Sequence, residues 1–153
     1  MKSSRKVLIT GGAQRIGSSI TKHLAKDGFD VAIQYNTSHS NVTKLKNLFK
    51  SSSVKFKAFK FDFKKAKNYE AFFKKIKDEF GEIDILINNA SAFEFDSIKQ
   101  TSNEIFDTHI DVNLKAPFFL SKYYVENFKK KDGLIINIFD QRVKNITPYF
   151  TSY

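Results

Sequence analysis

Apolar runs alternate with helical spacings along the whole chain. Lys6-Val7-Leu8-Ile9 leads into Thr10, and residues 7–10 read as a first strand. Ile16, Ile20 and Leu24 then recur at helical spacing as far as Gly28. Residues 29–35 form a second apolar run, and Val42, Leu45, Leu48 and Phe49 mark a second helix. Residues 54–61 predict a third strand, whose alternating lysines suit a sheet edge. Tyr69, Phe72, Phe73, Ile76 and Phe80 make a 3.6-period stripe that stops at Gly81. Residues 84–88 predict a fourth, buried strand. Residues 102 to about 131 predict helix, in two segments meeting near Asn113, and residues 134–139 a fifth strand. Strand and helix alternating in this way predict an α/β fold with a parallel sheet and helices on both faces. The many phenylalanines read as core.

Between the first strand and the first helix stands Thr10-Gly11-Gly12-Ala13-Gln14-Arg15-Ile16-Gly17. A helix N-terminus offers unpaired N–H groups and about half a positive charge. Glycines let a phosphate approach that backbone. Strand, glycine turn and helix is the dinucleotide-binding order, although an ordinary strand-to-helix turn can share it. Arg15 stands where such a loop often has glycine, and it adds a fixed positive charge at the mouth. Gly28, Gly81 and Gly133 each follow a helical pattern and precede an apolar run, as helix-ending glycines do.

The net charge of +10 raises nucleic acid as a partner. Of 26 basic residues, however, 23 are lysine, whereas arginine dominates base readout. The lysines spread over helix faces, with short clusters at Lys64-Lys65, Lys74-Lys75 and Lys129-Lys130-Lys131, and read as a solvated surface. The chain has no cysteine, hence no disulfide framework or thiolate metal site. His23, His39 and His109 show no metal-ligand spacing, so no metal is expected. No apolar run reaches membrane-spanning length and the N-terminus lacks a signal pattern, so a cytoplasmic protein without a membrane partner is expected.

In a parallel sheet of this kind, ligands bind beyond the strand C-termini at the switch point. Polar residues stand at all five predicted strand ends. They are the glycine turn, Asn36-Thr37-Ser38, Asp62, Asn88-Asn89-Ala90-Ser91 and Asp140. Their joint occurrence is more specific than any one motif.

On these residues the chain resembles the short-chain dehydrogenase/reductase family. Residues 10–17 resemble the family's glycine motif, Asp62 its adenine-contacting acid, and Asn88-Asn89-Ala90 its Asn-Asn-Ala motif. Asn113, within Asp111-Val112-Asn113-Leu114, resembles the helix asparagine that supports the catalytic lysine through a water. Tyr153, thirteen residues after Asp140, falls where the catalytic tyrosine belongs. The resemblance implies a Rossmann-like doubly wound sheet of about five strands, cut short at its C-terminus. Residues 1–153 would then be one incomplete nucleotide-binding domain. It further implies cofactor contacts from Gly11, Arg15, Ile16, Gly17, Asn36, Thr37, Ser38, Asp62, Phe63, Asn89, Ala90 and Ser91.

Three departures from the general pattern resemble pteridine reductases and dihydromonapterin reductases. Arg15 replaces a glycine, Asp140 replaces the usual serine, and Asn89-Ala90-Ser91-Ala92-Phe93 resembles their pterin-holding segment. By that resemblance Phe93 stacks on the pterin, Ser91 hydrogen-bonds it or the cofactor, and Arg15 lies near both. Asp140 and Tyr153 would form the proton relay that an imine reduction needs. Taken alone, Asp140 also suits a turn cap and Phe93 also suits a core position. No carboxylate ends the second strand, so NADPH is favoured over NADH. The arginine common there in pteridine reductases is absent, leaving Ser38, His39 or Lys44 to meet a 2′-phosphate.

The family's lysine, four residues beyond the tyrosine, lies past residue 153. The expectation is therefore the N-terminal part of a longer reductase, which would be a homo-oligomer when complete. The 153 residues alone would turn nothing over. The runner-up is a general carbonyl reductase, such as one for 3-oxoacyl thioesters. A non-catalytic nucleotide- or nucleic-acid-binding module is the alternative of another class.

Overall fold

A computed structural model describes residues 4–129 and 132–153; Lys130 and Lys131 of the last basic cluster lie outside the described residues. The elements run β1 Lys6–Ile9, α1 Arg15–Lys26, β2 Asp30–Tyr35, α2 His39–Phe49, β3 Phe56–Lys60, α3 Tyr69–Phe80 and β4 Ile85–Asn88. There follow α4 Asn103–His109, a π-helical turn Ile110–Lys115, α5 Ala116–Asn127 and β5 Leu134–Asn137. Short 3₁₀ turns occupy Phe63–Lys65 and Gln141–Val143.

The strands form one parallel sheet in the order β3-β2-β1-β4-β5, with Leu8 level with Ala32 on one side and Leu86 on the other. The strand order turns back at β1, so the glycine turn that follows β1 opens at the switch point. The expected edge position of the third strand holds.

Alternation along the strands builds two cores. Val7, Ile9, Val31, Ile33, Ile85 and Ile87 face α1 and α2. Leu8, Ala32, Phe59 and Leu86 face α3 and α5, where the whole Tyr69-to-Phe80 stripe is buried. Phe61 stacks on Phe72 at 4.0 Å and Tyr69 on Phe119 at 5.4 Å. Phe59, Phe63, Phe72, Phe73 and Phe80 are core as expected, whereas Phe93, Phe95, Phe106, Phe118 and Phe139 are exposed. Asn68 starts α3 by accepting from Ala71 N at 2.8 Å, and Gly81 ends it at φ 100°.

Several sequence expectations need correction. The buried stripe of α1 is Gly17, Thr21 and Ala25, with Ile20 and Leu24 only flanking it, and Ile16 is 61% exposed. Leu48 likewise points outward. The long helix stops at Asn127, short of residue 131, although its two segments do meet near Asn113, through a π turn. Gly133 is not a helix cap. Its Cα sits under the Phe128 ring and the Tyr124 hydroxyl, at distances of 2.6 and 2.7 Å for an added Cβ, so close packing requires it. β5 forms the other sheet edge, with Leu134, Ile136 and Ile138 all exposed. Among the described residues no helix is long and apolar enough to cross a membrane.

Candidate functional site

The glycine turn is held from below by Gln34. This buried side chain accepts from Gly11 N at 2.9 Å and donates to Phe61 O at 2.6 Å, tying the turn to β2 and the end of β3. Thr10 ties it to β4, its hydroxyl accepting from Asn89 N and Ala90 N, both at 2.9 Å. Asn89 returns the tie by donating from Nδ2 to Thr10 O at 2.9 Å.

Each glycine here meets a definite demand. Gly11 lies at φ 62°. A Cβ on Gly17 would collide with the Gly11 carbonyl oxygen and stand 2.6 Å from Asn89 Nδ2. The backbone therefore comes close enough to leave a cradle above the N-terminus of α1. That N-terminus has no acidic residue in its first turn and no side-chain cap from Gln14. Among the described residues, the N–H groups of Ile16 and Gly17 meet no protein acceptor. Unpaired N–H groups, a helix dipole and a cation together fit a phosphate. The cation is Arg15, exposed and at φ 49°, in the left-handed region where glycine is ordinarily found. That conformation explains why such loops often carry glycine at this position.

Beyond β2, Asn36, Thr37 and Ser38 lead into α2, whose first turn holds no acid and whose N-cap Ser38 makes no side-chain cap bond. His39 sets its ring edge-on to Tyr35 at 5.3 Å. Beyond β3, Asp62 caps the following 3₁₀ turn by accepting from Lys64 N at 3.0 Å. Phe63 is buried in the core, so only its backbone faces the strand ends.

On the other side of the cradle, Asn113 braces the stretch after β4. Its Oδ1 accepts from Ala92 N at 2.8 Å and its Nδ2 donates to Ala92 O at 2.9 Å. The π turn that carries it is the kind of helix irregularity often found at functional sites. The brace sets Ser91 and Phe93 on either side of Ala92. Tyr153 comes to both. Its hydroxyl lies 3.5 Å from Ser91 Oγ, and its ring meets Phe93 edge-on at 4.9 Å. One face of Phe93 is covered by Phe150, stacked at 4.1 Å, yet Phe93 remains 47% exposed. Asp140 is occupied elsewhere, capping the turn Gln141–Val143 through Arg142 N at 2.9 Å. Among the described residues no hydrogen bond joins Asp140 to Tyr153.

The residues that sequence reasoning passed over are Gln34 and a buried polar chain beneath Tyr153. His109 is 1% exposed and accepts at Nε2 from Glu94 N at 3.0 Å, so its ring is neutral with the proton on Nδ1. Nδ1 donates to Ser152 Oγ at 2.7 Å, and Ser152 Oγ donates to Asp96 Oδ2 at 2.6 Å. Thr101 Oγ1 adds a bond to the same oxygen at 2.8 Å. Burial pushes the Asp96 carboxyl up. Hydrogen bonds from Ser152 and Thr101 and the backbone of Ser152 and Thr151 outweigh it and hold the group below its ordinary value.

The geometry agrees with known proteins. The sequence profile described as short chain dehydrogenase matches residues 5–153. An uncharacterized oxidoreductase of Thermotoga maritima is 41% identical over 133 residues, 86% of this chain and 52% of that protein. The 3-oxoacyl-acyl-carrier-protein reductase FabG of Staphylococcus aureus is 30% identical over 90% of this chain and 56% of its own length. Among solved structures, FolM alternative dihydrofolate reductase 1 from Brucella suis, in complex with NADP, superposes with a TM-score of 0.90. It shares 35% identity and covers 97% of this chain and 62% of its own. The chain thus spans about half the length of the curated relatives it matches. With the profile matched from β1 to Tyr153 and the parallel sheet shared, the chain belongs to the short-chain dehydrogenase family.

Proposed function

We propose that this chain is the nucleotide-holding part of an NADPH-dependent oxidoreductase that reduces a pteridine of dihydropterin or dihydrofolate type. The observation that carries the reading is Arg15. Arg15 brings a fixed positive charge, at an unfavourable φ, to a helix N-terminus where, among the described residues, the N–H groups of Ile16 and Gly17 have no protein acceptor, and an anionic ligand accounts for the combination. The likeness to a dihydrofolate reductase complexed with NADP supports the choice of cofactor and of substrate class.

The cofactor, when bound, supplies a hydride. Gly11, Arg15, Ile16 and Gly17 hold its pyrophosphate. Asn36, Thr37 and Ser38, at a helix start free of acid, accept a 2′-phosphate without repulsion. Asp62 and the backbone of Phe63 meet the adenine end, while Asn89, Ala90 and Ser91 line the reactive end. Phe93 offers a flat ring its open face. Tyr153 passes the proton from its hydroxyl, with Ser91 orienting it. Asp140 joins the relay only by leaving its cap on Arg142, so Tyr153 carries the transfer in the arrangement described. The exposed Leu114, Phe118 and Val125 on and beside α5 form an apolar face that another subunit of a homo-oligomer would cover.

A 3-oxoacyl thioester reductase is the second reading, favoured by the FabG relative. The discriminating experiment follows NADPH oxidation with a dihydropterin and with a 3-oxoacyl thioester, using the longest open reading frame that contains these residues. Faster turnover of the dihydropterin is expected. Preference for the thioester would replace the pteridine reading, and saturable binding with neither reaction would favour a non-catalytic module.

A further inference from the structure

Tyr153 lies at the end of an exposed stretch, yet its surroundings are tied down by two buried residues. Asp96 is 1% exposed and accepts hydrogen bonds at both its backbone and its side chain. Its backbone oxygen accepts from Phe150 N at 2.7 Å. Its Oδ2 accepts from Ser152 N at 3.1 Å, from Ser152 Oγ at 2.6 Å and from Thr101 Oγ1 at 2.8 Å. No cation pairs with this carboxylate among the described residues. A buried charge held only by hydrogen bonds is costly, and it is directional where apolar packing is not. Between the two anchored amides, Phe150 sits at φ 62°, a strained conformation that persists only when its neighbours impose it.

His109 joins this anchor to the opposite wall of the site. One ring nitrogen holds Glu94 N, next to Phe93, and the other holds Ser152, next to Tyr153. A single buried ring thus fixes the neighbours of both aromatic groups, and it stands edge-on to Tyr153 itself at 5.8 Å.

We propose that Asp96 and His109 are positioning residues for Tyr153: by holding Ser152 between them, they set where the phenol lies against Ser91 and Phe93. The proposal rests on Tyr153 being the proton donor.

The test uses nuclear magnetic resonance of the 153-residue chain. The Tyr153 13Cζ signal is assigned by its loss in Tyr153→Phe, and amide exchange is read for residues 150–153. In Asp96→Asn and Ser152→Ala these amides exchange at least tenfold faster and the Tyr153 signal moves, while exchange within α3 is unchanged. Ser152→Thr, which keeps the hydroxyl, returns both readings to the wild-type values. The ring nitrogen shifts of His109 report the proton on Nδ1. If Asp96→Asn does not fold, Ser152→Ala carries the test. An unmoved Tyr153 signal in Ser152→Ala, or a His109 proton on Nε2, overturns the proposal whatever the reductase activity. Moved signals in a protein that reduces no pteridine leave the clamp standing and sink the functional reading instead.

Discussion

Replacing Arg15 by glycine should move stability and cofactor affinity in opposite directions. Arg15 lies at φ 49°, and the left-handed region costs an L-residue roughly 1–2 kcal/mol. Glycine escapes that cost but gives back about 0.5–1 kcal/mol in chain entropy. Arg15→Gly should therefore stabilise the fold by about 0.5–1 kcal/mol, or roughly 1–4 °C in Tm for a domain of this size. The exposed guanidinium has no ion pair or hydrogen bond to lose among the described residues. Its attraction for a phosphate in a solvated site is worth about 1 kcal/mol, so Kd for NADPH should rise roughly fivefold. Arg15→Ala is the control, because it loses the charge but keeps the strained backbone. Its Kd should match that of the glycine variant without the gain in stability. Urea unfolding at constant m and calorimetric titration of NADPH measure both quantities. The reasoning fails if Arg15→Gly is no more stable than Arg15→Ala, or if neither change weakens binding.

Other expectations follow from single contacts. Gly17→Ala places a Cβ against the Gly11 carbonyl oxygen; it should cost about 1–3 kcal/mol by overpacking and weaken NADPH binding at least tenfold, read by melting and titration. The Tyr69 hydroxyl is buried without a partner among the described residues, so Tyr69→Phe should stabilise by about 1 kcal/mol in urea unfolding. Burial first, and the Asp111 carboxylate second, push the Tyr69 hydroxyl up to about 12. The folded state thus keeps that proton longer than the unfolded chain, and stability should fall between pH about 10 and about 12. Tyr69→Phe should flatten that alkaline limb; an unchanged limb refutes the assignment. Asp96 has the opposite sign. Its carboxyl is held below the ordinary value, so its contribution is present above pH about 4 and lost as pH falls through the folded value. Acid unfolding of Asp96→Asn should show a shallower slope there than the wild type.

The sheet was legible because both signals that define it are local. Apolar runs such as Val7-Leu8-Ile9 need only alternate with helical stripes such as Tyr69-to-Phe80, and glycines mark the turn. What the pattern missed depends on non-local facts. Ile16 fits the α1 period but stands at the cradle mouth, where no second layer covers it. Gln34 reads as an interruption of an apolar strand, and only the close approach of Gly11 and Phe61 gives its amide two partners. His109 and Asp96 are thirteen residues apart and meet only because Ser152 returns between them. Asp140 shows the reverse limit, since its residue type suits a relay while its local geometry makes it a turn cap.

The most direct test of the central claim is a calorimetric titration of the 153-residue chain with NADPH and, separately, with NADH. The cradle at Gly11–Gly17 and the acid-free start of α2 predict saturable one-to-one binding of NADPH, at least tenfold tighter than NADH and at least tenfold weaker in Gly17→Ala. Tighter binding of NADH, or NADPH affinity left unchanged by Gly17→Ala, would contradict it.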